Sequence, residues 1–405
     1  MTREQVFTLE ATPLKFGRDA ADEAGWELER LGVHRAMLVS DPGVVEAGIT
    51  DRVRSRIEAA GIAVDVWGRA RVEPTLDSFR EAAEFAVDGD FDGFVAVGGG
   101  SSIDTTKAAD LIASCGGELM AYVNPPVGEG RAPSSRLRPL LAIPTTCGSG
   151  AEATSVAVLD VPEMRVKTGI SHRYLRPDQA IVDPSLTDSL PGDVVASCGL
   201  DVICHAAESF VARPFSDRER PSSPADRPPY QGSTPISDVW SARALEYGGR
   251  WLRAAVSGDA EARGWMMLAA SLAGIGFGAA GVHIPHACAY PIAGLRSGIP
   301  HGRSVIVTAP AAFRLTFAAA PERHIRVAEL LSGRSLPDAD EDTLPSLLLG
   351  LMGDLGVATS LGELGYGDGD IDALVEGALK QQRLLAVAPL DVGAGELAAV
   401  LRASL

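Results

Sequence analysis

The sequence predicts an α/β N-terminal dinucleotide-binding domain followed by an all-helical C-terminal domain. Three observations lead there. Short apolar runs alternate with amphipathic helical stretches up to about residue 190, the pattern of parallel βαβ units. Beyond Pro191 the β-branched clusters stop and Leu/Ala/Val periodicity takes over. A run of three glycines, Gly98-Gly99-Gly100, stands between an apolar run and a helical pattern. A chain of 405 residues exceeds one ordinary domain, and the expected division is 1–192 and 193–405.

In order, Arg18–Leu31 reads as helix and Ala36–Ser40 as strand, with a second amphipathic stretch through Ala59. Ile62–Trp67 is strand-like and Leu76–Val87 helical. Gly93–Val97 and Leu140–Ile143 are short apolar runs, each ending in turn residues, and Ser155–Leu159 and Ala180–Val182 add β-like pieces. Helix is expected from Asp193 onward, with Asp193 as N-cap after Pro191-Gly192. Residues 213–235, rich in Pro, Ser and charge, form a long loop inside the helical half, and Asp338–Asp342 mark a weaker break.

Composition narrows the function. With 36 Lys+Arg against 53 Asp+Glu the net charge is −17, which argues against nucleic acid and anionic membranes as partners. Cys115, Cys147, Cys198, Cys204 and Cys288 form no C-x-x-C pair and read as reduced thiols. The N-terminus lacks a signal core or an Arg-rich transit pattern, so a cytoplasmic protein is expected. Trp265–Val282 carries no charge over 18 residues, but its four glycines favour a buried Gly/Ala helix over a membrane span.

The segment Val97 to Lys107 (VGGGSSIDTTK) follows a strand and opens a helix. Its glycines let backbone approach a ligand, and the helix N-terminus offers free N–H groups to a pyrophosphate. A second post-strand cluster, Pro144 to Glu152 (PTTCGSGAE), offers hydroxyls suited to phosphate or ribose. Asp41, just past a strand, either binds the adenosine ribose diol, favouring NAD over NADP, or caps the turn at Pro42-Gly43. Gly276 to Gly281 spells G-x-G-x-x-G but follows no strand, and is rejected as a nucleotide motif.

Asp201 and His205, four apart, share a helix face. His283, His286 and His301 follow, so four of the seven histidines lie between 205 and 301. A carboxylate with imidazoles suits a first-row divalent ion, Fe²⁺ or Zn²⁺, with one position left for substrate or water. The alternative is a helix-face Asp–His pair plus scattered histidines.

Taken together, GGGSSID-TT-K, PTTCGSGAE, the D-x-x-x-H at 201–205 and the two later His segments resemble the iron-containing (group III) alcohol dehydrogenase family over essentially the whole chain. KTGISHRYLRP, DPSLTDSLP, GLDVICHAAES, RPPYQGSTPISD and AGIGFGAAGVHIPHACAYPIAG are similar to its hydroxyacid–oxoacid transhydrogenase branch. The resemblance implies the dehydroquinate synthase-like, iron-containing alcohol dehydrogenase fold, with its site in a cleft, and a homodimer. It implies Asp201, His205, His286 and His301 as catalytic metal ligands. The resemblance also implies His286 over His283, because the family pattern runs from the ligand His through small residues into a Pro–aliphatic pair, here Pro291-Ile292. NAD contacts would fall on Asp41, Gly98, Gly99, Gly100, Ser101, Ser102, Asp104, Thr145, Thr146, Ser149, Val158 and Lys167. Where many members carry a proton-relaying His four residues after the ligand, this chain has Tyr290, which passes a proton less readily near neutral pH.

The expected reaction is metal-assisted hydride transfer between a nicotinamide cofactor and a small alcohol, hydroxy acid, aldehyde or oxo acid. A transhydrogenase shuttling hydride between a 2- or 4-hydroxy acid and 2-oxoglutarate would need cations near the cleft to receive the carboxylates, and Arg173, Arg176, Arg213, Arg296 and Arg303 are the candidates. The alternative is an NAD(P)H-dependent alcohol dehydrogenase or aldehyde reductase acting on a short, possibly anionic aldehyde such as phosphonoacetaldehyde. A cleft without such arginines would count against an acid substrate and leave the dehydrogenase. A maleylacetate reductase-like enzyme, a dehydroquinate-synthase-like lyase and a non-catalytic NAD-binding protein rank lower.

Overall fold

The structure, a computed structural model, describes residues 2–164, 166–296 and 298–405. It divides into two compact units, one of Ala11–Leu190 and one of Pro191–Leu405 joined by the chain up to Glu10.

In the first unit the strands are β1 (Leu14–Phe16), β2 (Arg35–Val39), β3 (Ala63–Trp67), β4 (Gly93–Gly98), β5 (Leu140–Pro144), β6 (Val156–Val161), β7 (Val166–Ser171) and β8 (Gln179–Val182). The helices are α1 (Ala24–Arg30), α2 (Pro42–Glu46), α3 (Ile49–Ala59), α4 (Leu76–Asp88), α5 (Gly100–Cys115) and α6 (Leu119–Tyr122). Six strands form one parallel sheet in the order β1-β8-β5-β4-β2-β3, and β6 and β7 pair as an antiparallel hairpin.

Period-2 alternation distributes the strand side chains over two cores. Leu38, Val95, Val97, Leu141 and Ile181 pack with Leu28 of α1 and with Val53 and Ile57 of α3. Met37, Val39, Phe94, Ala96 and Leu140 pack with Ala82 and Ala86 of α4 and with Ile103 and Ala109 of α5. Each such aliphatic side chain contributes about 1.5–3 kcal/mol of burial, which makes the register hard to slip. The connection from β2 runs to the edge strand β3, whereas that from β4 runs the other way, to β5. A crevice therefore opens at the carboxyl ends of β2 and β4, where open α/β sheets bind ligands.

In the second unit the helices are α7 (Gly192–Val211), α8 (Pro235–Val256), α9 (Ala260–Ala280), α10 (Ile284–Leu295), α11 (His301–Ile306), α12 (Ala309–Thr316), α13 (Pro321–Ser332), α14 (Thr343–Asp354), α15 (Ile371–Leu379), α16 (Gln382–Leu385) and α17 (Ala394–Ala403). Helix α7 is long and apolar enough to cross a membrane by length and composition, yet 83% of that window is buried in the protein. Helix α9 carries the Gly/Ala stretch and is buried at every position from Ala269 to Ala280. A Cβ on Gly276 would lie 2.4 Å from Ser241 Oγ of α8, so the rejected glycine motif serves helix packing.

Three expectations need correction. The first ten residues belong with the helical unit: buried Glu4 pairs with Arg227, and the Gln231 amide is hydrogen-bonded to the Thr8 backbone. The N-cap of α7 is Pro191, while Asp193 sits in the first turn, where its charge complements the helix dipole. Asp338–Asp342 is a turn between α13 and α14 within one unit, and no break. The Pro-rich 213–235 segment holds two short 3₁₀ turns and ends at Thr234, whose hydroxyl caps α8 in a capping box with Ser237.

Candidate active site

In the α/β unit, the loops after β2, β4 and β5 converge. Asp41 divides its carboxylate: Oδ1 accepts from Val44 N–H at 3.1 Å, capping α2, and Oδ2 accepts from Ser102 Oγ at 3.2 Å. Asp41 is therefore a cap through one oxygen and faces the glycine loop with the other. A Cβ on Gly98 would meet Ser102 Oγ at 2.4 Å, and one on Gly100 would meet Ser149 at 2.7 Å, so side chains are excluded here by close approach. Thr145 N–H donates to Gly98 O at 3.0 Å, and Thr146 lies against Gly99. Helix α5 starts without a side-chain cap, leaving its N-terminal dipole to an incoming anion.

Asp104, Val158 and Lys167 are each held by contacts within the protein. Asp104 is buried, with Oδ1 facing Lys107 Nζ at 3.2 Å and Oδ2 accepting Val158 N–H at 3.0 Å. Fully buried Lys107 also donates to Ala151 O and Val156 O, each at 2.8 Å. This clamp fastens α5 to the β6–β7 hairpin, and both carboxylate oxygens of Asp104 are committed to it. Lys167 pairs with Glu73, and burial pulls its ammonium down to about 8. Glu73, at φ 58°, donates its N–H to Ser101 Oγ at 3.3 Å. Sequence reading passed over Glu73, whose partner Lys167 is far away in the chain, and saw Lys107 only as the end of the glycine motif.

In the helical unit, α7 carries Asp201, His205 and Glu208 on one face, at spacings of four and seven. Gly281, at φ 91°, ends α9, and the chain turns by 105° into α10, which starts at Ile284-Pro285 and presents His286. Helix α11 opens with His301. Its second residue, Gly302, would place a Cβ 2.0 Å from Ser197 O and 3.1 Å from Asp201 Cβ. Only glycine lets α11 lie this close to α7.

Asp201 Oδ1 is thereby ringed by three imidazole nitrogens: His286 Nε2 at 3.5 Å, His205 Nε2 at 3.9 Å and His301 Nε2 at 3.9 Å. Donor atoms of Asp201, His205 and His286 all lie within 4.8 Å of one another. A tetrahedral ion with bonds of about 2.0–2.1 Å would hold its donors about 3.3 Å apart, so only a slight contraction is needed. Asp201 Oδ1 and His286 Nε2 are buried without a hydrogen-bond partner among the described residues, as donors awaiting a cation would be. The residues present fit a divalent metal. His301, with 34% of its side chain exposed, leaves the cluster open on one side.

Electrostatics agree with this. Burial opposes the charge on Asp201, but His205, His301 and His286 outweigh it and hold the carboxyl well below the usual range. Burial pushes His205 down to about 3. His286 goes the other way: burial is overcome by Glu208 and Asp201, and its pKa rises to about 9. Glu208, absent from the sequence-derived set, lies 2.5 Å from His286 Nδ1 through Oε1. His283 is buried beside Phe313, with Nδ1 4.0 Å from Glu208, and burial pushes it down to about 4. Tyr290 is buried one helical turn after His286.

The described ion pairs of Asp201 are with histidines, and none of the candidate arginines is among them. Arg173 and Arg176 belong to the α/β unit, and Arg176 donates to Ala153 O. Arg213 pairs with Asp391 at 2.6 Å, and Arg296 stacks over Tyr366. Arg303, whose buried Nε meets no partner among the described residues, is two positions after His301 and so on another face of α11.

Comparison with known proteins agrees with this architecture. The iron-containing alcohol dehydrogenase family matches residues 11–184, and the C-terminal domain of the Fe-containing alcohol dehydrogenase family matches residues 230–405. The mitochondrial hydroxyacid-oxoacid transhydrogenase of Rattus norvegicus is 41% identical over 100% of this chain and 91% of its own length, and that of Homo sapiens is 40% identical over the same shares. Among solved structures, a 1,3-propanediol oxidoreductase superposes with a TM-score of 0.88 at 27% identity, covering 99% of this chain and 100% of its own. Sulfoacetaldehyde reductase from Bifidobacterium kashiwanohense, solved with NAD+, does so at 0.84 and 26%, covering 99% of each chain.

Proposed function

The chain belongs to the iron-containing alcohol dehydrogenase family, and from that premise we propose that it moves hydride from a small hydroxy acid to an oxo acid through an NAD that it holds. The single observation that carries this reading is the buried Asp201–His205–His286 cluster, completed by His301, in a chain 41% identical to hydroxyacid-oxoacid transhydrogenases over its whole length.

When bound, a divalent ion would polarise the substrate oxygen and NAD would carry the hydride. Asp201, His205, His286 and His301 would hold the ion, of which iron is the family's and zinc suits the same donors. In the α/β unit, Gly98, Gly99 and Gly100 leave room for the pyrophosphate at the α5 N-terminus, and Ser101, Ser102, Thr145, Thr146 and Ser149 supply hydroxyls around it. Asp41 would accept from the adenosine ribose diol, which favours NAD over NADP. Asp104 acts through the clamp, holding Val158 and the hairpin in place. Tyr290, one turn from His286, would pass the alcohol proton to solvent.

His286→Ala tests the assignment. Turnover is expected to disappear while NADH affinity, a property of the other unit, stays much less changed. Activity retained by protein without bound metal would contradict the metal role.

A second reading, a reductase for a short anionic aldehyde that releases its cofactor, draws support from the likeness to the sulfoacetaldehyde reductase. Added free NAD separates the two, because only the dehydrogenase or reductase depends on it.

A further inference from the structure

Glu208 is a costly residue that the reaction itself does not call for. Its side chain is fully buried, and its described ion pairs are with histidines only. A buried carboxylate with no Lys or Arg among its described ion pairs survives only when hydrogen bonds satisfy it, and three donors do so here. His286 Nδ1 lies 2.5 Å from Oε1, His283 N–H donates to Oε2 at 2.6 Å, and His286 N–H points to Oε2 at 3.5 Å. One side chain of α7 thus ties down the first turn of α10 and the ring of its histidine.

We propose that Glu208 is the positioning residue of the metal centre, fixing His286 in the tautomer and orientation that aim Nε2 at the ion. This rests on the metal reading above. An imidazole whose Nδ1–H is given to a carboxylate must present its lone pair on Nε2. Nε2 is the nitrogen found 3.5 Å from Asp201 Oδ1, buried and without another partner among the described residues. The carboxylate also makes the ring a stronger donor, and its grip on two backbone N–H groups stops α10 from rotating the ring away. A glutamine at 208 is nearly isosteric but offers one oxygen for two sets of donors. Either the ring or the backbone of α10 then faces an amide N–H.

Cobalt(II) is the probe, because its visible absorption reports ligand geometry and its affinity can be read by competition with a chelator. Four proteins are compared: the unaltered chain, Glu208→Gln, Glu208→Asp and His286→Ala. NADH binding reports the fold of the α/β unit, and urea unfolding of metal-free protein reports that of the helical unit. Glu208→Gln is expected to bind cobalt about 10–100-fold more weakly, with an altered spectrum. Glu208→Asp, which keeps the charge at a shorter reach, is expected to fall between it and the unaltered chain. Unchanged cobalt affinity and spectrum in a folded Glu208→Gln protein overturn the proposal, even if its metal-free stability drops, since that is what a purely structural anchor would do. Should Glu208→Gln fail to fold, Glu208→Asp decides by the same criterion. If the unaltered chain itself binds no cobalt, or His286→Ala binds it equally well, the metal reading fails instead.

Discussion

Gly302 shows how much of the site rests on one missing atom. A Cβ there would sit 2.0 Å from a backbone oxygen that cannot move without shifting α7. Gly302→Ala is expected to cost about 1–3 kcal/mol in urea unfolding, as overpacking does, and to lower metal retention by pushing His301 off Asp201. His286 gives a pH signature. It binds its proton more tightly in the folded, metal-free protein than the ordinary 6.5 of an unfolded chain, with a pKa near 9. Its stabilisation is complete below 6.5 and is lost as pH rises through 9, so metal-free protein should melt lower at pH 9 than at 6.5. The ion competes for the same nitrogen. Metal uptake near pH 7 should therefore release about one proton, which calorimetry in buffers of different ionisation enthalpy would detect. Asp201 and His205 were legible in the sequence because i, i+4 spacing is local. Glu208 sits on the same face but looked like one more acidic residue. Gly302 was invisible, since the carbonyl that requires it lies on α7, about a hundred residues earlier.

At the scale of elements, the glycine loop between β4 and α5 could be read because strand, glycines and helix N-terminus are consecutive. Its walls could not. Ser149 and Asp41 come from other strand ends, and only the parallel order β5-β4-β2 sets them beside Gly98 and Gly100. Asp41→Ser should narrow the preference for NADH over NADPH by loosening the NADPH barrier, since its carboxylate no longer repels a 2′-phosphate; fluorescence titration with both nucleotides checks this. The α2 cap is retained by serine, which separates that effect from simple unfolding. Asp104 was legible only as part of the glycine motif; its burial with Lys107, and the grip of the pair on the β6–β7 hairpin, come from contacts about fifty residues away. The bend after Gly281 was equally unreadable, because Gly281 ends an already glycine-rich run.

For the whole molecule, the net charge of −17 and the two-part organisation restrict what the enzyme can accept. One unit carries the nucleotide loops and the other the metal donors, so each half of the chemistry can be removed by mutation without the other. With Asp201 and Glu208 both anionic, a dication leaves the centre near neutrality, and an acidic substrate needs further cations. The arginines singled out from the sequence are mostly committed elsewhere, which sequence position alone could not disclose. The most direct test of the account uses metal-loaded protein, a 4-hydroxy acid deuterated at its carbinol carbon, 2-oxoglutarate and no added nicotinamide. The account predicts deuterium at C2 of the 2-hydroxyglutarate formed, lost when the metal is chelated. Deuterium transfer that requires added free NAD, or that survives complete removal of the metal, would contradict it.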